Sequence, residues 1–184
     1  MRVVGGRLRG RNLAAPASQA VRPTADRLRE TLFNVLAHAY DNPLEGARVL
    51  DLFAGTGALG IEASSRGAAF VLFVDDGAEA RALLRNNTES LSLGGLTRIF
   101  RRDATSLGPV HPLEPFSLAF LDPPYNKGLA EKALVSARDG GWLVPGALAV
   151  VEESVAAKLT APEGYAELER RDYGESELIF LRRN

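Results

Sequence analysis

The chain of 184 residues contains no cysteine, which excludes a disulfide framework, a thiolate zinc site and a cysteine nucleophile. It has only two histidines, His38 and His111, so a histidine-based metal centre is not expected. No apolar run approaches the ~18 residues that a membrane span requires, and the first residues lack the apolar core of a signal peptide. These absences point to a soluble cytoplasmic protein with no membrane partner. Lysine is scarce as well: Lys127, Lys132 and Lys158 are the three present.

What remains is an ordinary single-domain composition, 46% apolar, enough to bury a core without staples. The net charge is −1, but its distribution is uneven. Residues 1–25 hold Arg2, Arg7, Arg9, Arg11 and Arg22 and no acid. Such a segment suits a polyanion, because each guanidinium can fork onto a phosphate and release counterions. The alternative is that arginine simply replaces lysine throughout.

Residues 1–22 show glycines and short apolar pieces without helical period, which predicts a small irregular or hairpin extension. Residues 23–184 then form one domain. Pro23-Thr24 reads as a helix start, with Thr24 able to cap and Asp26 complementing the dipole. Leu28, Leu32, Val35 and Leu36 carry the helix to about Ala39. From Arg48 the pattern alternates. Strands are expected at Arg48–Phe53, Phe70–Asp75, Thr97–Arg102, Phe116–Leu121 and Ala147–Glu152, with helices at about Ala58–Ser65, Ala78–Leu91 and Gly128–Asp139. This is the signature of an α/β, doubly wound parallel sheet. Two successive strands, Tyr165–Asp172 and Glu177–Arg182, predict a closing antiparallel hairpin with Glu175 and Glu177 on its solvated tip.

The first strand runs into Asp51-Leu52-Phe53-Ala54-Gly55-Thr56-Gly57-Ala58-Leu59-Gly60. Gly55, Gly57 and Gly60 fit a dinucleotide-type turn opening a helix, and Asp75 ends the next strand where an acid can hold ribose hydroxyls. Nicotinamide dinucleotides and S-adenosylmethionine both use this geometry. Asp51 favours the second, since a carboxylate there repels a pyrophosphate and welcomes an ammonium and a sulfonium. Asp103, after the third strand, can accept from an adenine amino group, or it can be an ordinary loop aspartate.

Asp122-Pro123-Pro124-Tyr125 ends the fourth strand. The prolines remove two donors and stiffen the chain, holding the Asp122 carboxylate and the Pro123 carbonyl as an acceptor pair beside an aromatic ring. An exocyclic base nitrogen is a poor nucleophile because its lone pair is delocalised. Two acceptors on its N–H groups favour the pyramidal state, and Asp122 offsets the charge that develops on it. Tyr125 offers a face for stacking. A plain strand-terminal turn would use the same residue types.

At these residues the chain resembles the bacterial small-subunit (16S) ribosomal RNA guanine-N2 methyltransferases, the RsmD-like proteins. The resemblance rests on Arg2-Val3-Val4-Gly5-Gly6, Arg9-Gly10-Arg11, Arg22-Pro23-Thr24, Asp26-Arg27-Leu28-Arg29-Glu30, the stretch from Asp51 to Ala63, Ser65-Arg66-Gly67-Ala68 and the Asp-Pro-Pro-Tyr motif. It implies a Rossmann-like class I methyltransferase fold, with a seven-stranded mostly parallel sheet, an antiparallel last strand and a small N-terminal extension. It implies S-adenosylmethionine bound by Asp51, Gly55, Gly57, Asp75 and Asp103. Asp122, Pro123 and Tyr125 would act on a guanine 2-amino group. Arg2, Arg7, Arg9, Arg11 and Arg22 would hold ribosomal RNA or an assembling small ribosomal subunit, and the segment to Arg29 would cover the cofactor. The family usually has Glu where Asp75 stands, and Asp76 beside it competes for the ribose. DNA adenine-N6 and protein glutamine methyltransferases share the acceptor motif but usually carry a further substrate domain. The size suits a monomer, and no metal is expected.

Overall fold

The computed structural model describes residues 1–16 and 23–184, with only the backbone of Pro23 and Thr24. Arg22 and the capping side chain of Thr24 therefore lie outside the described residues. The elements follow in chain order as α1 (Pro23–Ala39), β1 (Arg48–Leu52), α2 (Ala58–Ser65), β2 (Phe70–Val74), α3 (Ala78–Ser90), β3 (Thr97–Phe100), β4 (Phe116–Leu121), α4 (Leu129–Asp139), β5 (Leu143–Ser154), β6 (Tyr165–Tyr173) and β7 (Ser176–Arg183).

One seven-stranded sheet has the order β3-β2-β1-β4-β5-β7-β6. The strands β1 to β5 pair in parallel, whereas β7 lies antiparallel to both β5 and β6. The seven-stranded, mostly parallel α/β sheet closed by an antiparallel strand is thus present. The near-continuous apolar runs of β1, β2 and β4 follow from burial on both faces. Leu32, Phe33, Val35 and Leu36 of α1 meet Phe73, Phe120 and Phe180 on one face, while Trp142, Phe116 and the alanines of α4 fill the other. Each such large apolar side chain contributes ~1.5–3 kcal/mol by leaving water.

Two stretches differ from the expectation above. Strand β5 begins at Leu143 rather than Ala147, because Leu143 already pairs with Phe116 before a register shift. Pro145 and Gly146 disguise that start, being residues that ordinarily break strands. At the last hairpin Glu177 is buried rather than solvated, where it receives Arg170 at 2.9 Å.

Residues 1–14 pack tightly onto α2 and α3. A bridge pairs Arg2 with Asn12 around a single 3-10 turn, Gly6–Leu8, and Val3, Leu8 and Leu13 enter the core. The fastening is polar. Glu62 of α2, fully buried, accepts from the amides of Val4 (3.0 Å) and Gly5 (2.9 Å) and from the guanidinium groups of Arg66 (2.9 Å) and Arg29 (3.4 Å). Ser65 receives the Leu8 amide at 2.9 Å, and Asn87 both accepts from the Ala14 amide (2.7 Å) and donates to its carbonyl (3.0 Å). Arg2, Arg7, Arg9 and Arg11 remain exposed on this segment.

Candidate active site

The carboxyl ends of β1, β2 and β4 all reach one side of the sheet, where crossovers turn into helices and leave a crevice. A cavity of about 480 Å³ opens there, lined among others by Met1, Arg29, Asp51, Gly55, Asp122, Pro123, Tyr125 and Glu152. A second, of about 350 Å³, is lined by Asp75, Asp76, Arg102, Asp103, Ala104 and Leu129. Phe53, Asp122 and Pro124 belong to both walls, so the two spaces meet at the strand ends. Phe53 holds a left-handed backbone (φ 56°), which a bulky residue ordinarily avoids and which marks a constrained position.

The glycine turn is built from beneath. Asp51 is buried and its Oδ2 accepts the Gly60 amide at 2.9 Å. A Cβ on Gly60 would sit 2.4 Å from the Phe73 ring and 2.9 Å from that oxygen, so only glycine lets α2 approach so closely. Gly55, by contrast, takes φ 58° and has nothing within 4 Å of a Cβ position, leaving open space before its backbone. Gly57 packs under the loop toward Leu84, outside the lining of both cavities.

The carboxylates are held in contrasting ways. Burial, reinforced by the charge of Asp75, pushes Asp51 up to about 8 against the pull of the Gly60 amide. Asp75 is pinned by two amides, from Gly55 and Gly77, each at 2.9 Å. Asp76 lines the same cavity but is exposed. Asp103 is exposed too, with one oxygen accepting from the Thr105 hydroxyl (2.7 Å) and amide (2.8 Å), which hold its carboxyl below the usual range.

Asp122 opens to solvent through the cavity mouth yet is crowded by protein. Desolvation first, then the neighbouring carboxylates Glu152, Asp51 and Glu153, raise its carboxyl well above the ordinary range. The Tyr125 hydroxyl donates to Glu152 Oε1 at 2.7 Å, and burial and that neighbour keep the phenol protonated. Glu153, buried, accepts the Asn126 amide at 3.1 Å through Oε1, while its Oε2 has no partner among the described residues. The two acids ending β5 therefore anchor the Asp-Pro-Pro-Tyr loop, and neither was singled out in the sequence. Their signal was available, since an apolar strand ending in Glu152-Glu153 repeats the pattern that exposed Asp51, Asp75 and Asp122.

Residues 1–182 match the model of a family described as Conserved hypothetical protein 95. The chain belongs to that family. Ribosomal RNA small subunit methyltransferase D of Escherichia coli (strain K12) is 41% identical over 156 residues, 84% of this chain and 75% of that protein. The protein of the same name from Haemophilus influenzae is 34% identical over 176 residues, covering 95% of this chain and 89% of its own length. Among solved structures, yhhF from Escherichia coli superposes with a TM-score of 0.82 at 35% identity, covering 100% of this chain and 97% of that one. Family membership thus spans the N-terminal segment as well as the sheet, in keeping with the way Glu62 joins them.

A larger groove, about 900 Å³, runs along α4 beside residues 105–109 and 160–162. It shares only Thr105 with the cavities above, and its two acids, Glu131 and Asp139, stand eight residues apart along α4. Among the described residues no group of three or more His, Asp or Glu is placed to hold a metal ion, and no helix is long and apolar enough to cross a membrane.

Proposed function

We propose that this chain is an S-adenosylmethionine-dependent methyltransferase acting on the 2-amino group of a guanine in small-subunit ribosomal RNA. The observation that carries the reading is the junction of the two cavities at Phe53, Asp122 and Pro124. It sets the acceptor motif against a crevice whose acids suit one cationic nucleoside. Asp51 and the open backbone at Gly55 fit an α-amino group and its carboxylate, the pinned oxygens of Asp75 fit two ribose hydroxyls, and Asp103 with Ala104 fits an adenine edge. The fixed carboxylate of Asp75, rather than exposed Asp76, takes the ribose. Gly57 shapes the loop from below. When bound, S-adenosylmethionine supplies a methyl group on a sulfonium, a leaving group that needs no metal.

The remaining chemistry belongs to the chain. Asp122 and the Pro123 carbonyl accept from the two N–H groups of the base, localise the nitrogen lone pair and offset its developing charge. Tyr125, 40% exposed at the cavity mouth, offers its ring for stacking. Met1 and α1 cover the crevice, and a base so enclosed reacts from one position rather than many. Residues 1–22 form an RNA-holding extension on the methyltransferase domain of residues 23–184, with Arg2, Arg7, Arg9, Arg11 and Arg22 meeting phosphates. The enzyme works as a cytoplasmic monomer on ribosomal RNA or on the assembling small subunit. The names of the curated relatives support this substrate.

The test is transfer of radiolabel from S-adenosylmethionine to unmodified small-subunit particles, with Asp122→Ala alongside. Label in guanine that falls by ~10²–10³ in the variant, with cofactor binding retained by calorimetry, is the expected result. Label absent from RNA despite cofactor binding would retire the substrate and move the search to DNA and protein acceptors.

A further inference from the structure

The cavity wall carries a carboxylate that gripping an amino group does not require. Glu152 lines the same space as Asp122, Pro123 and Tyr125, at the end of β5. It is held there by the Tyr125 hydroxyl, which donates to Oε1 at 2.7 Å, and its charge lies beside the carboxyl group of Asp122. The one guanidinium in the wall among the described residues, that of Arg29, is already engaged by Glu62, Asp26 and the Arg2 carbonyl. Among the described residues neither Asp122 nor Glu152 has an ion pair with Arg or Lys.

Two acids facing one space, with no arginine or lysine among the described residues paired to either, are satisfied by a ligand that brings adjacent donors. The bases differ in just this respect. Guanine sets a ring N1–H directly beside its 2-amino group. Adenine sets a bare N1 lone pair beside its 6-amino group, and cytosine a bare N3 beside its 4-amino group. A carboxylate opposite a lone pair is repelled and left without a partner, whereas opposite an N–H it gains a charge-assisted hydrogen bond.

We infer that Glu152 accepts the ring N–H next to the target amino group and thereby selects guanine over adenine and cytosine. The inference rests on the reading of the crevice as an amino-methyltransferase site. In it, Asp122 and Glu152 divide the guanine edge: Asp122 takes the amino group and Glu152 takes N1–H. Tyr125 serves twice, stacking through its ring and fixing Glu152 through its hydroxyl.

The test compares two RNA substrates for the wild type and for Glu152→Gln. One has guanine at the position that the wild type labels. The other has 2-aminopurine there, which keeps the 2-amino group but offers a lone pair at N1. The wild type should favour guanine strongly in kcat/KM. In Glu152→Gln the amide can donate to a bare N1, so the guanine/2-aminopurine ratio should fall by about tenfold to a hundredfold, the discrimination typical of one base-edge contact. A merely structural loss would lower both substrates together and leave the ratio where it was, which overturns the inference. If the variant turns over too slowly, filter binding of the two RNAs supplies the same ratio and decides the question in the same way. A wild type that labels no RNA removes the underlying reading instead, whereas a wild type that labels guanine beside an unchanged ratio removes Glu152 alone.

Discussion

Glu62 and Asp122 are two acids crowded by protein, and their surroundings are opposite. Around Glu62 stand two guanidinium groups and two backbone amides, each bringing a proton donor to a carboxylate that sees no solvent. Around Asp122 stand Glu152, Asp51 and Glu153, which bring more negative charge. The first arrangement offsets the loss of hydration and fastens the N-terminal segment and α1 onto α2. The second leaves the desolvation uncompensated until something with donors enters. An acid ringed by donors is a fastener, whereas one ringed by acids in a crevice marks where a ligand belongs.

The comparison sharpens most with substitutions that remove each charge. Glu62→Ala leaves the Val4 and Gly5 amides without their acceptor and leaves Arg29 with Asp26 as its one remaining ion-pair partner among the described residues, and should lower stability by ~3–5 kcal/mol in urea denaturation. Asp122→Asn, which relieves repulsion, should leave the midpoint unchanged or raise it. Equal destabilisation by both would erase the distinction. A pH-dependent effect concerns Asp51, raised to about 8 by burial and Asp75. Its carboxyl binds a proton more tightly folded than unfolded, so its contribution to the stability of the cofactor-free protein is fully present below about pH 4. That contribution should decline as pH rises to about 8, by at most ~1.4 kcal/mol per pH unit. Thermal melts across that range, flattened in Asp51→Asn, check the sign. S-adenosylmethionine should bind more tightly as pH rises over the same window, because its ammonium favours the ionised carboxylate. Smallest per residue are Arg2, Arg7, Arg9 and Arg11. Replacing them with Ala should weaken RNA binding at all sequences and reduce the salt slope by about 1 per lost phosphate contact. An unchanged slope would mean that these exposed cations do not meet the backbone.

Much of this was legible in the chain because local signals agree with the tertiary result. The runs at Val49–Leu52 and Val71–Val74 are apolar because both sheet faces are covered, and the acids that end them stand out by contrast. Glu62 was not legible as a fastener, since Arg66, four residues on, reads as an ordinary helix pair and its other partners lie 33 and 57–58 residues away. Glu152 was missed for another reason. Its strand opens with Leu143-Val144-Pro145-Gly146, and its value depends on the Tyr125 hydroxyl, a pairing fixed by the β4–β5 register rather than by spacing.

The position of β7 has a consequence for how the molecule comes together. This strand follows β6 in the chain yet lies between β5 and β6 in the sheet. When β5 has formed, the next strand to emerge is not the one that covers its apolar edge. That edge stays bare until β7 arrives and the hairpin docks by its second arm. An unprotected edge of this kind invites strand exchange between nascent copies. The pairing that covers this edge runs from Leu148 through Ser154 against Arg182 through Ser176.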